Sequence, residues 1–283
     1  EFLATKTKKK NIIKRFPAPK AGARNNTSEI DAFLQIVDVP MIEEIVERTN
    51  MYINYKRLEY ERERDAKETS KTEVMALLGL LYLLGYKKHN HTNVLEIRTT
   101  DGSGMEIART VMSYKRFLFL LRCLCFDNKF TRIERRKQDT LAAIRSIFDS
   151  FVKNCKLSYS LGEFVTIDEK LQAFRGRCSF VQYIPNKPAK YGIKMFALCD
   201  AKTFCTDNLE IYCVKQPEGP YMQSNSPTDI VNKLQCLFER KLTFLGTMRQ
   251  NKREIPPDFL PDKKRKVHSV LFGFQKEATL VSF

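Results

Sequence analysis

One short stretch of this chain places a chemically capable residue where a fold could present it. Phe164-Val165-Thr166-Ile167-Asp168-Glu169-Lys170-Leu171 alternates apolar and polar side chains. In an extended strand alternate side chains share a face. Val165 and Ile167 therefore point into a core, while Thr166 and Asp168 point the other way. An aspartate raised from a strand on that outer face is a common way to present a metal ligand, and a solvated strand aspartate is the competing reading. A hard divalent ion such as Mg²⁺ takes several oxygen ligands, so one aspartate does not complete a site. Glu169 falls on the opposite face from Asp168. Asp200 is the nearest alternative, at the end of the next long apolar run, and Asp207 and Asp229 have no better claim.

The elements that would position Asp168 follow from the change of apolar period near Ser160. From Pro40 the pattern is helical, with Ile42, Ile45, Val46, Thr49 and Ile53 recurring at three- and four-residue spacing after Asp38. The densely charged run 56–71 reads as a solvated helix end or linker. Ser70-Lys71-Thr72-Glu73 has capping-box spacing, which predicts a helix over Val74 to Tyr86, apolar nearly all round and so central. A further helix is expected from Glu106 to Phe126. Another runs over Thr140 to Asn154, capped by Asp139, with Leu141, Ile144, Phe148, Phe151 and Val152 on one stripe. Beyond Ser160 the period becomes that of strands: Glu163 to Phe174, Tyr191 to Asp200, and about Asp207 to Val214. The turn residues of Pro185-Asn186-Lys187-Pro188 and Asp200-Ala201-Lys202-Thr203 separate them. Three strands with short links read as an antiparallel meander. Pro227 then introduces a helix over Thr228 to Arg240, and Leu242 to Thr247 reads as another strand. The fold class is α/β in the α+β sense: a helical region followed by a mixed sheet.

Composition narrows the partners. The 283 residues are 43% hydrophobic and 11% aromatic, enough for a packed core. Lys and Arg outnumber Asp and Glu 49 to 33, a formal charge of +16, which favours a polyanionic partner, nucleic acid before an acidic membrane surface. Residues 1–28 carry Lys6, Lys8, Lys9, Lys10, Lys14, Arg15, Lys20 and Arg24 against Glu1 alone, with Pro17, Pro19 and Gly22 among them. They read as a flexible basic arm, a phosphate contact or nuclear address on one reading and a solvated tail on the other. Eight cysteines form no Cys-x-x-Cys pair and only three histidines are available, so no zinc site is assigned and a reducing compartment is expected. Val74 to Tyr86 falls short of the about 20 apolar residues that cross a bilayer. No membrane association and no small-molecule substrate are expected.

Several ordered blocks carry a resemblance. They are Val165-Thr166-Ile167-Asp168-Glu169, Phe174-Arg175-Gly176-Arg177-Cys178, and the run Tyr183-Ile184-Pro185-Asn186-Lys187-Pro188-Ala189-Lys190-Tyr191-Gly192-Ile193-Lys194. Ala197-Leu198-Cys199-Asp200, Pro217-Glu218-Gly219-Pro220-Tyr221, Ser224-Asn225-Ser226-Pro227 and a block from Leu242 to Leu260 continue the series. They resemble the PiggyBac transposase family, weakly from Glu29 and strongly from Met112 onward. The resemblance implies an RNase H-like DDE core, DNA as partner, and a triad of aspartates holding divalent ions, Mg²⁺ being the expected cofactor. The first family aspartate corresponds to Asp168, the candidate catalytic and metal-binding residue.

In the family pattern a strand bearing the second aspartate follows the helix after Ser226-Pro227. Here Ile230-Val231-Asn232-Lys233-Leu234 runs directly into Gln235-Cys236-Leu237, so that strand is read as deleted near Leu234/Gln235. The third aspartate is expected beyond Phe283, and both ends of the chain read as cut. The organisation expected is a basic arm (1–28), a helical part (29–157) and a partial RNase H-like core (158–283). Loss of the strand should leave the Asp168 strand with an unpaired edge, unless Leu242 to Thr247 moves in beside it. The candidate DNA contacts are Arg175, Arg177, Lys187, Lys190 and Lys194, with Lys252, Arg253, Lys263, Lys264, Arg265 and Lys266. The leading reading is a nuclear, DNA-binding, catalytically inactive transposase derivative. The alternatives are a fragment of an active cut-and-paste transposase, and a relic or protein-interaction module. Oligomeric state is left open.

Overall fold

The computed structural model describes residues 16–89, 91–162, 164–214, 216–222, 229–230, 234, 255–260, 269–274 and 279–282. The chain divides into two compact units, Glu1–Arg240 and Lys241–Phe283.

Helices dominate the first half of the larger unit. Helix α1 (Glu29–Ile36) begins at Ser28, whose hydroxyl accepts from the Asp31 amide. Helix α2 (Val39–Arg57) begins at Asp38, which accepts from the Met41 amide at 3.0 Å, with Pro40 in the first turn. Its expected stripe is the one buried: Ile42, Ile45, Thr49 and Ile53. The charged run that follows turns through a short 3₁₀ segment, Glu63–Ala66.

Helix α3 (Lys71–Tyr86) is capped by Ser70, which accepts from the Glu73 amide. The reciprocal half of a capping box is not made. The Glu73 carboxylate instead takes Thr69 Oγ1 at 2.7 Å and two nitrogens of Arg116 at 2.7 Å. Leu77 and Leu80 pack with Ile53, Phe117 and Leu120, while Val74 packs with Ile42 and Ile45, so α3 links two core clusters. Its other side is open, with Tyr82 and Tyr86 exposed.

Three short helices follow: α4 (Val94–Ile97), α5 (Glu106–Val111) and α6 (Tyr114–Cys123). The single helix expected over Glu106 to Phe126 is thus divided. Met112 is extended at φ −155°, and Ser113 caps α6 by accepting from the Arg116 amide at 3.3 Å. After α7 (Arg132–Arg136), helix α8 covers Arg145–Ser158 rather than Thr140 to Asn154. Asp139 is the reason. Its carboxylate accepts from Leu141 N at 2.9 Å, from Arg145 Nε at 2.7 Å and from Gln216 Nε2 at 3.2 Å, which closes a turn ahead of the helix.

The described end of the basic segment is tied to α8. Strand β1 (Ala18–Pro19) pairs with β2 (Tyr159–Ser160), and Lys20 N donates to Ser158 O at 2.7 Å. The main sheet follows. Strand β3 (Val165–Ala173) lies antiparallel to β5 (Tyr191–Asp200) in unbroken register from Val165↔Asp200 to Ala173↔Gly192. On its other side β5 pairs with β4 (Val181–Tyr183) and β6 (Thr206–Ile211), both antiparallel. The expected meander is present, with β4 added and β6 shorter than expected; Val214, at φ +61°, ends that run in a left-handed turn.

Both faces of the sheet are covered. Leu198, fully buried, packs with Val165, Ile167 and Phe196 against Ile230 and Leu234. Residues 229–230 and 234 are helical, in agreement with the expected helix where it is described. The opposite face places Ile193, Met195 and Ile211 against Leu141, Ile144 and Phe148. The smaller unit contains a hairpin of β7 (Leu271–Phe274) and β8 (Thr279–Ser282). The expected strand Leu242 to Thr247 and the junction at Gln235 lie outside the described residues.

Candidate nucleic-acid interface

Asp168 stands on β3 with its side chain exposed, as the alternation requires: Val165, Ile167, Glu169 and Leu171 are half-buried, and Thr166, Asp168 and Lys170 exposed. Its cross-strand partner is Ala197. One carboxylate oxygen accepts from the Glu169 amide at 2.8 Å. The Glu169 carbonyl accepts from Lys187 Nζ at 3.3 Å. Side chains therefore take both main-chain polar groups of Glu169, which blunts the strand edge at that point. Among the described residues β5 is the only strand paired with β3.

Neither neighbouring acid joins Asp168. Glu169 lies on the other face, with Lys194 Nζ at 2.6 Å and Lys187 Nζ at 3.8 Å. Asp200 sits opposite Val165 and so also on the other face. It is buried, and it accepts from Gly162 N at 2.7 Å and from Lys202 N and Thr203 N at 2.9 Å. Burial pushes its pKa up, but those amides outweigh burial and hold it below the usual carboxylate value. Its ionised oxygens are spent on the turn. Asp207 is buried at the bulge where β6 shifts register, where with burial and Cys205 it helps push the Cys155 thiol up to about 11. Among the described residues no three His, Cys, Asp or Glu side chains converge to hold a metal ion. The described carboxylates do not fit a two-ion site.

The basic residues separate into two groups. Lys187 and Lys194 share Glu169, and Lys194 also lies over the rings of Phe196 and Tyr212 at 4.9 and 5.3 Å. Arg175, Arg177 and Lys190 are exposed, and no described carboxylate is paired with them. All three sit at one end of the sheet: Arg175 and Arg177 in the β3–β4 connection, Lys190 in the β4–β5 turn. That turn is closed by Ile184 N to Lys190 O at 2.8 Å and Lys190 N to Lys187 O at 3.0 Å, with Lys190 at φ +53°. Gly192 follows because a Cβ there would fall on the Gln172 carbonyl of β3. Lys252, Arg253, Lys263, Lys264, Arg265 and Lys266 lie outside the described residues.

Two residues that the sequence reading passed over stand beside these cations. Tyr183 and Tyr191 pair across β4 and β5 with ring centroids 4.7 Å apart and planes at 37°. The Arg175 guanidinium lies 5.4 Å from the Tyr191 ring centre. The signal was available: a turn centred on Pro185-Asn186-Lys187-Pro188 sets the residues flanking it opposite one another.

A helical region leading into an antiparallel sheet whose first long strand raises an exposed aspartate agrees with an RNase H-like DDE core. The comparisons agree. The family model described as Transposase IS4 matches residues 28–236. A cryo-EM structure of a piggyBac transposase synaptic complex with hairpin DNA is similar at 34% identity and a TM-score of 0.83, over 94% of this chain and 60% of that one. The chain belongs to the piggyBac-like transposase family. Membership implies use of a divalent metal, and the chain spans 60% of the length of the solved transposase it matches. No described helix is long and apolar enough to cross a membrane.

Proposed function

We propose that this chain is a nuclear, DNA-binding derivative of a piggyBac-like transposase that does not itself cut or rejoin DNA. One observation carries the second half of the proposal. Among the described residues no three acidic, His or Cys side chains converge to hold a metal ion, and Glu169 and Asp200 lie on the opposite sheet face from Asp168, one engaged by lysines and the other by three amides. A lone aspartate cannot bridge two ions, and groups that act as a unit lose activity far more than additively when members are missing. If Mg²⁺ binds, Asp168 is the residue that would hold it, and no strand-transfer step follows from that alone.

The first half rests on the formal charge of +16 and on Arg175, Arg177 and Lys190 projecting from one end of the sheet. The similar piggyBac structure is itself a complex with hairpin DNA. Phosphate contacts of this kind give salt-sensitive binding with weak sequence preference.

The test is a cleavage and strand-transfer assay on transposon-end DNA with Mg²⁺ and with Mn²⁺, for the native chain and Asp168→Ala. No product from either protein is expected. Metal-dependent cleavage that vanishes in Asp168→Ala would overturn the inactive reading. It would favour a second reading, motivated by the 60% coverage, in which the chain is part of an active cut-and-paste transposase.

A further inference from the structure

We infer that the Tyr183–Tyr191 pair is a stacking platform for an unpaired base of single-stranded DNA, with Arg175, Arg177 and Lys190 gripping the adjoining phosphates. The inference rests on the DNA-binding reading and adds to it a ligand class and a contact.

The geometry supplies the reasons. Two tyrosine rings 4.7 Å apart are in stacking range, yet they are not core: Tyr183 is 58% exposed and Tyr191 44%. Their positions are set by the backbone, since Tyr183 and Tyr191 are cross-strand partners and the turn between them is closed by three main-chain hydrogen bonds. The rings are therefore pre-ordered and lose little freedom when a base arrives. Tyr191 is engaged by both Tyr183 and Arg175, while Tyr183, the more exposed, presents the free part of the platform.

The surroundings select the ligand. An exposed aromatic pair set among cations that no described carboxylate neutralises combines the two components of single-strand binding: a stacking surface and a charged track for the backbone. Within a duplex each base face is covered by its neighbours, so only an unstacked base can lie on the rings. Duplex DNA can use the cations and not the tyrosines.

The experiment compares fluorescein-labelled oligothymidylate with a labelled duplex of the same length by anisotropy, at one fixed salt concentration, using the full chain. Tyr183→Ala should weaken oligothymidylate binding at least fivefold, the lower end of the about 5- to 150-fold that one base–aromatic stack is worth. Duplex affinity should not change. Tyr183→Phe should bind both ligands as the native chain does, because the ring does the stacking and the hydroxyl does not. Arg175→Ala/Arg177→Ala should weaken both ligands together. Equal oligothymidylate affinity of Tyr183→Ala and native protein overturns the platform, as does an equal loss on duplex. Native protein that binds duplex but not the single strand overturns the platform and leaves the DNA reading standing. Native protein that binds neither removes both. Circular dichroism of each variant confirms that the comparison is between folded chains. If Tyr183→Ala is unfolded, Tyr183→Leu, which keeps apolar bulk without a π face, replaces it with the same expected outcome.

Discussion

In the helical region Arg116, Arg132, Arg135 and Arg145 reach inward to carboxylates, whereas at the sheet end Arg175 and Arg177 reach outward. Arg116 holds Glu73 through two nitrogens and also takes the Lys67 and Glu68 carbonyls. Arg132 and Arg135 share Asp127, which is 6% exposed, and Arg145 holds the buried Asp139. Arg175 and Arg177 have no such carboxylate among the described residues. The same side chain thus serves two purposes in one chain. A guanidinium fork satisfies a buried carboxylate bidentately. Projected from a turn, it keeps its charge for a polyanion. The formal charge of +16 therefore overstates the charge available to DNA, because part of it is matched internally.

This contrast can be broken most forcefully at Asp127. Removing one partner of a buried ion pair costs about 3–5 kcal/mol. Asp127→Ala should cost about 3 kcal/mol, the lower end of that range, because Arg135 keeps partial access to water. Urea unfolding of the native and variant chains reads the difference, and a change near zero would mean that the arginines of this region are not structural.

A smaller effect comes from Asp139 as pH falls. Burial alone would raise its pKa, but Arg145, the Leu141 amide and Gln216 outweigh burial and hold it below the ordinary value. A folded pKa below the unfolded one stabilises at and above about pH 4, and that contribution is lost as pH drops through the folded value. Melting temperatures taken from neutral pH into the acid range should fall less steeply below about pH 4 in Asp139→Asn than in the native chain. Parallel curves would contradict this role.

The least effect on stability belongs to the sheet end. Arg175→Ala, Arg177→Ala and Lys190→Ala each remove an exposed side chain and should change unfolding free energy by no more than about 0.5 kcal/mol. A larger loss would show that the outward cations help to hold the sheet.

Much of this architecture is legible in the residues themselves. Asp38 and Ser70 announce their helices because a capping side chain acts on the next few amides, a local interaction. Strand β5 is legible to its end residues, since a largely apolar run is bounded by two clusters of turn formers. Asp168 and Glu169 are assigned to opposite faces by alternation alone. What is not legible depends on distant partners. Asp139 reads as a helix cap, and only Gln216 and Arg145 convert it into the closure of a turn. The break at Met112 and Ser113 hides inside a stretch whose apolar residues recur at near-helical spacing. Likewise, Lys187 and Lys194 look no different in sequence from Arg175 and Lys190; the sheet separates them, by bringing Glu169 within reach of the first two.

The most direct measurement is the salt dependence of duplex DNA binding by the native chain and by Arg175→Ala/Arg177→Ala/Lys190→Ala. Each phosphate neutralised contributes about 0.9 to the slope of log K against log salt. The triple variant should therefore bind more weakly, with a slope shallower by about 2 to 3, while its unfolding curve overlies that of the native protein. An unchanged slope in a folded triple variant would contradict the assignment of the DNA contact to this end of the sheet.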